Sequence, residues 1–302
     1  MSASLARSGR SSAGGSVRGY TRHRAGVVGL AILLLCAALA LGAPLLIAAR
    51  DLSAVHAPGP PRHPPSLHFP LGTDAYGRSM VAVTIWGARI SLLVGLLATA
   101  MSVGIGSVTG IVAGHFRGWV SMLLMRMTDW FLVLPTLVLA AALASVLHRG
   151  VLTVVVAIGL TAWPATARLV RAQTLTLEAR PYVERAKALG AGDWHVMRRH
   201  VLPNLAPLIL AQTTLSVSAA ILMESTLAFL GLSDPTKLSW GTTLQLAQQV
   251  GAVSAGDWWI LLPPGLAIVV VALAFTLCGR ALESTLNPRL AGGRPSALRV
   301  LA

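Results

Sequence analysis

Runs of apolar residues long enough to cross a bilayer recur along the whole chain, separated by short segments that carry most of the charge. A bilayer core takes about 20 apolar residues in a helix, because a helix pairs every backbone N–H and C=O without water. Six stretches meet that length: Gly26–Ala49, Ile90–Gly114, Val120–Leu147, Val151–Val170, Leu205–Leu222 and Trp259–Gly279. Only 11% of the 302 residues are charged and 55% are hydrophobic. Soluble domains carry about 25% charged residues, and their limited interior cannot hide so much apolar surface. The expected fold is therefore an all-α integral membrane protein with six transmembrane helices. Pro135, Pro164 and Pro207 fall in or beside the spans, where neighbouring helices or water satisfy the carbonyls that a proline frees.

Lys and Arg set the expected orientation, because they concentrate on the cytoplasmic side. With the N-terminus inside, 18 of the 24 lie in cytoplasmic segments. The other 6 (Arg50, Arg62, Arg78, Arg89, Arg149 and Lys237) lie outside. Both termini are then cytoplasmic. The domains follow: a cytoplasmic tail over 1–25, a first transmembrane helix over 26–50 and an extracytoplasmic segment over 51–88. A core over 89–290 holds five more spans, and a cytoplasmic tail over 291–302 ends the chain. The first apolar run, with Arg22 and Arg24 before it, has the outline of a signal peptide. It is longer than the 7–15 apolar residues or so of a cleaved signal and reads as a retained helix. The net charge of +14 is assigned to span flanks facing anionic lipid, not to nucleic acid.

Several features carry little chemistry. Cys36 and Cys278 sit inside apolar runs and read as small buried hydrophobes. His56, His63 and His68 are irregularly spaced in a Pro-rich stretch, which fits a solvated loop better than a zinc site. Gly106, Gly110 and Gly114 recur every four residues, a stripe that lets another helix approach closely. No G-x-x-x-x-G-K-[ST] or H-E-x-x-H pattern is present, which disfavours an ATP-cradling or zincin-type membrane enzyme.

From Arg168 to His200 the sequence turns polar, far longer than a connector needs. Val183, Ala186 and Leu189 recur at helical spacing, and Gly190 suits the left-handed cap that ends a helix. Asp193 is placed to cap a second helix carrying Trp194, Val196, Met197 and Val201. The expectation is a helix–turn–helix at the inner membrane face. Ordering such a knob costs conformational entropy, which a docking role would justify.

These residues carry a resemblance. Glu184-Arg185-Ala186 is followed after three residues by Gly190, and after nine more by His200, then Leu202-Pro203. That spacing resembles the EAA loop of ABC importer permeases, with Arg185 in place of the middle alanine and His200 in place of isoleucine. The His-Val-Leu-Pro-Asn form is similar to the dipeptide/oligopeptide/nickel branch. So are Leu71-Gly72-Thr73-Asp74 with Gly77-Arg78, Met125-Arg126 with Asp129, Glu224 with Phe229-Leu230-Gly231-Leu232, Ser239-Trp240-Gly241, and Asn287-Pro288-Arg289-Leu290.

The resemblance implies a permease subunit of the bacterial cytoplasmic membrane. It would pair with a homologous permease, two cytoplasmic ATPase subunits or one fused ATPase, and an extracytoplasmic substrate-binding protein. ATP and Mg²⁺ would be held by the ATPases, with no cofactor on this chain. The EAA loop, about 178–203, would dock them through Val183, Glu184, Arg185, Ala186, Lys187, Leu189, Gly190, Asp193, Trp194 and Pro203. Within it, Glu184 would meet a basic group, Gly190 would give the turn, and Val183 and Trp194 would give apolar contact. Di- or oligopeptides are the implied cargo; nickel, haem or another small solute would use the same architecture. An ATP-independent channel or secondary transporter is the more distant alternative. Asp129 and Glu224 lie in or at the ends of spans, where an ionisable group either lines a pathway or is paired. For Asp129 the expected partner is Arg126, one helical turn away.

Overall fold

The computed structural model describes residues 23–286. The C-terminal Asn-Pro-Arg-Leu motif, the tail over 291–302 and nearly all of the N-terminal tail lie outside the described residues. Among the described residues the chain is helical apart from its connections, with one isolated antiparallel bridge between Thr73 and Ser79. Among the described residues, five helices are long and apolar enough to cross a membrane. They are α1 (Arg24–Leu46), α2 (Met80–His115), α5 (Val151–Glu178), α8 (Leu202–Phe229, with the turns before it) and α11 (Trp258–Leu286). A bent pair, α3 (Trp119–Val133) and α4 (Thr136–Val146), makes a sixth when its two arms are taken as one span. Leu34, Leu41, Leu45, Val108 and Leu152 project from these helices uncovered, as side chains facing lipid do.

The third expected span is not one rod. The chain turns by 89° between α3 and α4. Pro135 has no N–H to donate, and the residue before a proline is pushed out of the helical region. Leu134 is accordingly extended, at φ −83° and ψ 134°. Hydropathy does not register such a break, because the residues next to it on both sides, 131–134 and 137–139, are apolar.

Helices α2 and α5 form the central seam. Gly106, Gly110 and Gly114 lie against α5 so closely that an added Cβ would come within 2.7 Å of the Trp163 carbonyl, 2.6 Å of the Ala167 carbonyl and 2.6 Å of Thr174 Cβ. The glycine stripe thus serves a contact inside this chain. Val94, Ala98, Val154, Ile158 and Leu227 continue the core toward α8, and Val217, Ile221, Ile268 and Val271 join α8 to α11.

Helix α2 begins at Met80, well before the expected Ile90, so the expected extracytoplasmic segment over 51–88 is partly helix. Met80 and Val83 are fully buried there, Met80 against Ala247, Ala252 and Ile260. Before α2 the chain is knotted around Asp74. Its carboxylate accepts from the backbone N–H groups of Tyr76 and Arg78, each at 2.9 Å, and from Arg78 Nε at 2.5 Å. Gly72 and Gly77 take positive φ, and a Cβ at Gly77 would strike the Gly59 carbonyl at 2.1 Å. Arg62 reaches from this cap to the Val250 carbonyl and to Asp257.

On the same side as the cap, α9 (Trp240–Gln249) and the short α10 (Ala252–Ala255) cover the ends of α8 and α11. Helix α9 opens with a capping box in which Ser239 accepts from the Thr242 N–H and the Thr242 hydroxyl accepts from the Ser239 N–H. Just before it, hydrogen bonds from the Thr236 hydroxyl and N–H, with Lys237 nearby, hold the Asp234 carboxyl below the usual carboxylate range.

Candidate functional site

The polar interruption folds at the opposite end of the seam from the cap. Helix α6 (Pro181–Ala188) starts on Pro181, whose fixed φ suits a first turn. It ends at Gly190, which takes φ +84° and has open space around it. Helix α7 (Asp193–Val196) runs through a π-helical turn, Met197–Val201, directly into α8. The expected helix–turn–helix is therefore present, with its second helix continuous with a membrane span.

Its residues divide into two sets. Val183, Val196 and Val201 are fully buried, packed on Val170, Leu177 and Leu205 of the bundle. Val183 therefore points into this chain and is not available to an ATPase, which corrects the expectation for it. The most open apolar residues are Leu189 and Trp194, 89% and 70% exposed, with Tyr182 less so. Glu184 and Arg185 are exposed as well, and among the described residues neither makes an ion pair. Ala186 is half-buried, while Pro203 lines a cleft with Trp194, His195, Arg198 and Arg199.

The loop is tied to the bundle by a polar cluster. His115, the last residue of α2, is buried, with Nδ1 2.6 Å from Glu178 Oε1 and Nε2 3.2 Å from Asp193 Oδ1. Lys187 of α6 donates to the other Glu178 oxygen. Asp193 differs from the sequence expectation: the N-cap is Gly192, and the Asp193 side chain makes no cap hydrogen bond. His115, distant in sequence, has captured it.

The two intramembrane carboxylates are in different settings. Asp129 pairs with Arg168 at 2.7 Å, not with Arg126, and both partners are about half exposed. Glu224 is fully buried inside this chain. Ser91 Oγ donates to Glu224 Oε2 at 3.0 Å and accepts from the Trp240 N–H at 3.2 Å. Trp240 Nε1 donates to the Thr84 carbonyl, and Gly241 packs against the Ser225 carbonyl, where a Cβ would sit at 2.6 Å. The Glu224 and Ser239-Trp240-Gly241 motifs are thus one knot joining α2, α8 and α9, and Glu224 sits within it instead of on an open wall.

A separate groove of about 380 Å³ opens beside the α3–α4 bend. Ser102, Thr136, Thr161, Thr166, Gln212 and Ser216 line it together with Leu132, Pro164 and Met223. Its lining holds hydroxyl and amide groups and no charged side chain.

A family model described as "Binding-protein-dependent transport system inner membrane component" matches residues 106–292. The chain belongs to this family. It is the permease subunit of an ABC importer, an integral component of the inner membrane, and the family is a transport component and not itself catalytic. A putative peptide transport system permease of Brucella abortus is 35% identical to the permease over 277 residues, 91% of each chain. A glutathione transport system permease of Pectobacterium atrosepticum is 35% identical over 228 residues, 75% of this chain and 74% of that one. A putative peptide permease of Brucella suis is 34% identical over 279 residues, 91% of this chain and 90% of that one. The matched region takes in the seam glycines, the polar loop and Glu224.

Sequence reasoning missed His115, Glu178 and the groove lining of the permease. His115 has a weak signal, as a lone histidine closing an otherwise apolar run. The groove residues have none, because scattered Ser and Thr are common in membrane helices and only the bend gathers them.

Proposed function

We propose that the permease imports di- or oligopeptides, forms half of a heterodimeric pathway with a homologous permease, and is driven through its loop over 181–196. The observation that carries the docking role is the division of that loop. One face is fully buried and anchored, while Glu184, Arg185, Leu189 and Trp194 stand open, and among the described residues the two charged side chains make no ion pair. Trp and Arg, both open here, are the residue types enriched where interfaces bind most tightly. Arg117 before α3, Arg126 within it and the basic excess on the loop support a cytoplasmic position for this end, with the ATPases and with both termini. The cap over 49–79 then faces outward, toward a substrate-binding protein.

Two features support a peptide cargo. Relatives at 34–35% identity over 91% of this chain are named for peptide transport, and glutathione, named for a third, is itself a tripeptide. The groove offers hydroxyls and an amide, which exchange hydrogen bonds with peptide groups and hold no fixed charge against a side chain of either sign. A nickel or haem cargo would draw on His, Cys or carboxylate ligands, and the groove lining contains none of these.

Co-purification tests the docking reading. Glu184→Arg reverses the charge at an exposed, unpaired position and so spares the fold. The ATPase subunits are expected to be lost from the purified complex while the partner permease stays. Retention of the ATPases at the level of the unmodified complex would refute the assignment.

A further inference from the structure

The cluster at the inner end of the α2–α5 seam has a chemistry that simple packing does not require. His115 presents both ring nitrogens to carboxylate oxygens, Nδ1 to Glu178 at 2.6 Å and Nε2 to Asp193 at 3.2 Å. An ionised carboxylate only accepts, and a neutral imidazole donates from one nitrogen only. A neutral ring would set its lone pair against one of the two oxygens. Both contacts are satisfied together by the imidazolium, which donates twice.

Lys187 brings α6 to the same cluster through the other Glu178 oxygen. The Arg171 guanidinium on α5 is turned to the Ala113 carbonyl and the Ser121 hydroxyl. The edge of the ring also meets Phe116 at a centroid distance of 5.0 Å. The four residues come from four separate places: the end of α2, the end of α5, α6 and the start of α7. Val183, Val196 and Val201 hold the loop by apolar packing, which is non-directional. Hydrogen bonds between charged groups are directional and fix one arrangement.

We infer that His115, as an imidazolium bridging Glu178 and Asp193, is the joint that makes the loop and the α2–α5 seam move as one body, so that ATPase closure reaches the groove. His115 is a positioning residue: it touches neither cargo nor ATPase. The inference rests on the reading that the loop docks the ATPases.

The test uses the full complex in nanodiscs, with a cysteine reporter in the groove (Ser216→Cys) in a Cys36→Ser, Cys278→Ser chain. The labelling rate by a membrane-impermeant maleimide is compared without nucleotide and after trapping with ATP and vanadate. In the reporter chain, trapping is expected to change the rate by about fivefold or more, the lower range of a site-to-site coupling. The Asp193 carboxylate is turned to His115, which withdraws it from the docking set expected from the sequence, so His115→Gln and Asp193→Asn are both expected to keep the ATPase subunits and their trapping of vanadate. The rate change should nevertheless shrink to less than about twofold. Asp193 is 65% exposed, so its amide variant folds even if the buried His115 site does not tolerate change. The double variant should behave as either single one, since both break the same bridge.

A full rate change in the single variants, effects that multiply in the double variant, or a reporter chain that does not respond to trapping would each overturn the proposal. Failure of the docking reading is separate, because it appears as ATPases retained by Glu184→Arg and not as an altered labelling rate.

Discussion

Gly104 and Gly110 lie on one helix, less than two turns apart, and should respond to the same substitution in opposite directions. Alanine gains about 1 kcal/mol over glycine within a helix, because glycine loses more backbone freedom on folding. At Gly104 an added Cβ meets nothing within 4 Å, so Gly104→Ala should keep that gain. At Gly110 the Cβ would lie 2.6 Å from the Ala167 carbonyl and 2.8 Å from Val170 Cβ. Both atoms are fixed to the α5 backbone, so no flexible side chain can yield. Ordinary contact begins at 3.4 Å, about 0.8 Å further out. Opening the seam by that amount weakens its other contacts too, since a gap of 0.5–1 Å or so forfeits a quarter to a half of each dispersion well. Overpacking of this kind costs about 1–3 kcal/mol. The propensity gain is common to both variants and cancels, so Gly110→Ala should be less stable than Gly104→Ala by about 1–3 kcal/mol. Unfolding of the purified permease by SDS in mixed micelles, followed by circular dichroism, measures the difference directly. A gap below about 0.5 kcal/mol, the scatter of substitutions that touch nothing, would refute the seam argument.

Three further outcomes follow from particular contacts. Glu224→Ala removes the acceptor of the Ser91 hydroxyl and leaves a void in a fully buried site, so it should cost about 2 kcal/mol or more in the same unfolding assay, with Glu224→Gln costing less. Asp74→Ala deprives two backbone N–H groups and Arg78 of their acceptor, and the cap over 49–79 should become open to protease in folded permease. The lowered Asp234 carboxyl favours the folded loop at all pH values above that of a free carboxyl, and the benefit is lost as pH falls through the lower folded value. Thr236→Ala removes the hydroxyl bond, the larger cause, and should bring acid loosening of the 230–239 loop at higher pH, read by protease sensitivity against pH.

Much of the architecture was legible because the bilayer imposes length. Four of the expected spans lie within a helix, while Gly26–Ala49 and Val120–Leu147 run past the ends of α1 at Leu46 and of the bent pair at Val146, and the glycine stripe announced a close helix contact before its partner was known. What the sequence left undecided was direction. The spacing of Val183, Ala186 and Leu189 marks one helical face, but it does not say that Val183 turns to the bundle while Leu189 stays open. Capping preference put the Asp193 side chain on its own helix, and a distant histidine outbid the local donors. Asp129 chose Arg168 over its sequence neighbour Arg126 for the same reason: α3 lies against α5, and local spacing does not encode that approach. The break at Pro135 was visible as a residue but not as a right-angle turn, because the angle is set by what the two arms pack on.

The seam and the loop together constrain how motion can travel through the permease. Gly106, Gly110 and Gly114 bring α2 and α5 into backbone contact at three successive turns, so neither helix can slide or bend without opening the other's packing. At the inner end of that pair the polar cluster binds the loop, and further along α5 the groove residues Thr161 and Thr166 sit beside Pro164. A push on the loop therefore has no soft element to deform before it reaches the groove, and α2–α5 should rotate as a unit. The compliant points lie elsewhere: at the 89° bend between α3 and α4, which borders the same groove, and at Pro207 in the first turns of α8. A rigid pair turning against a hinged one changes the width of a groove shared between them. Under the proposed docking, this arrangement would let ATPase closure at the loop alter access to the groove without a flexible relay between the two.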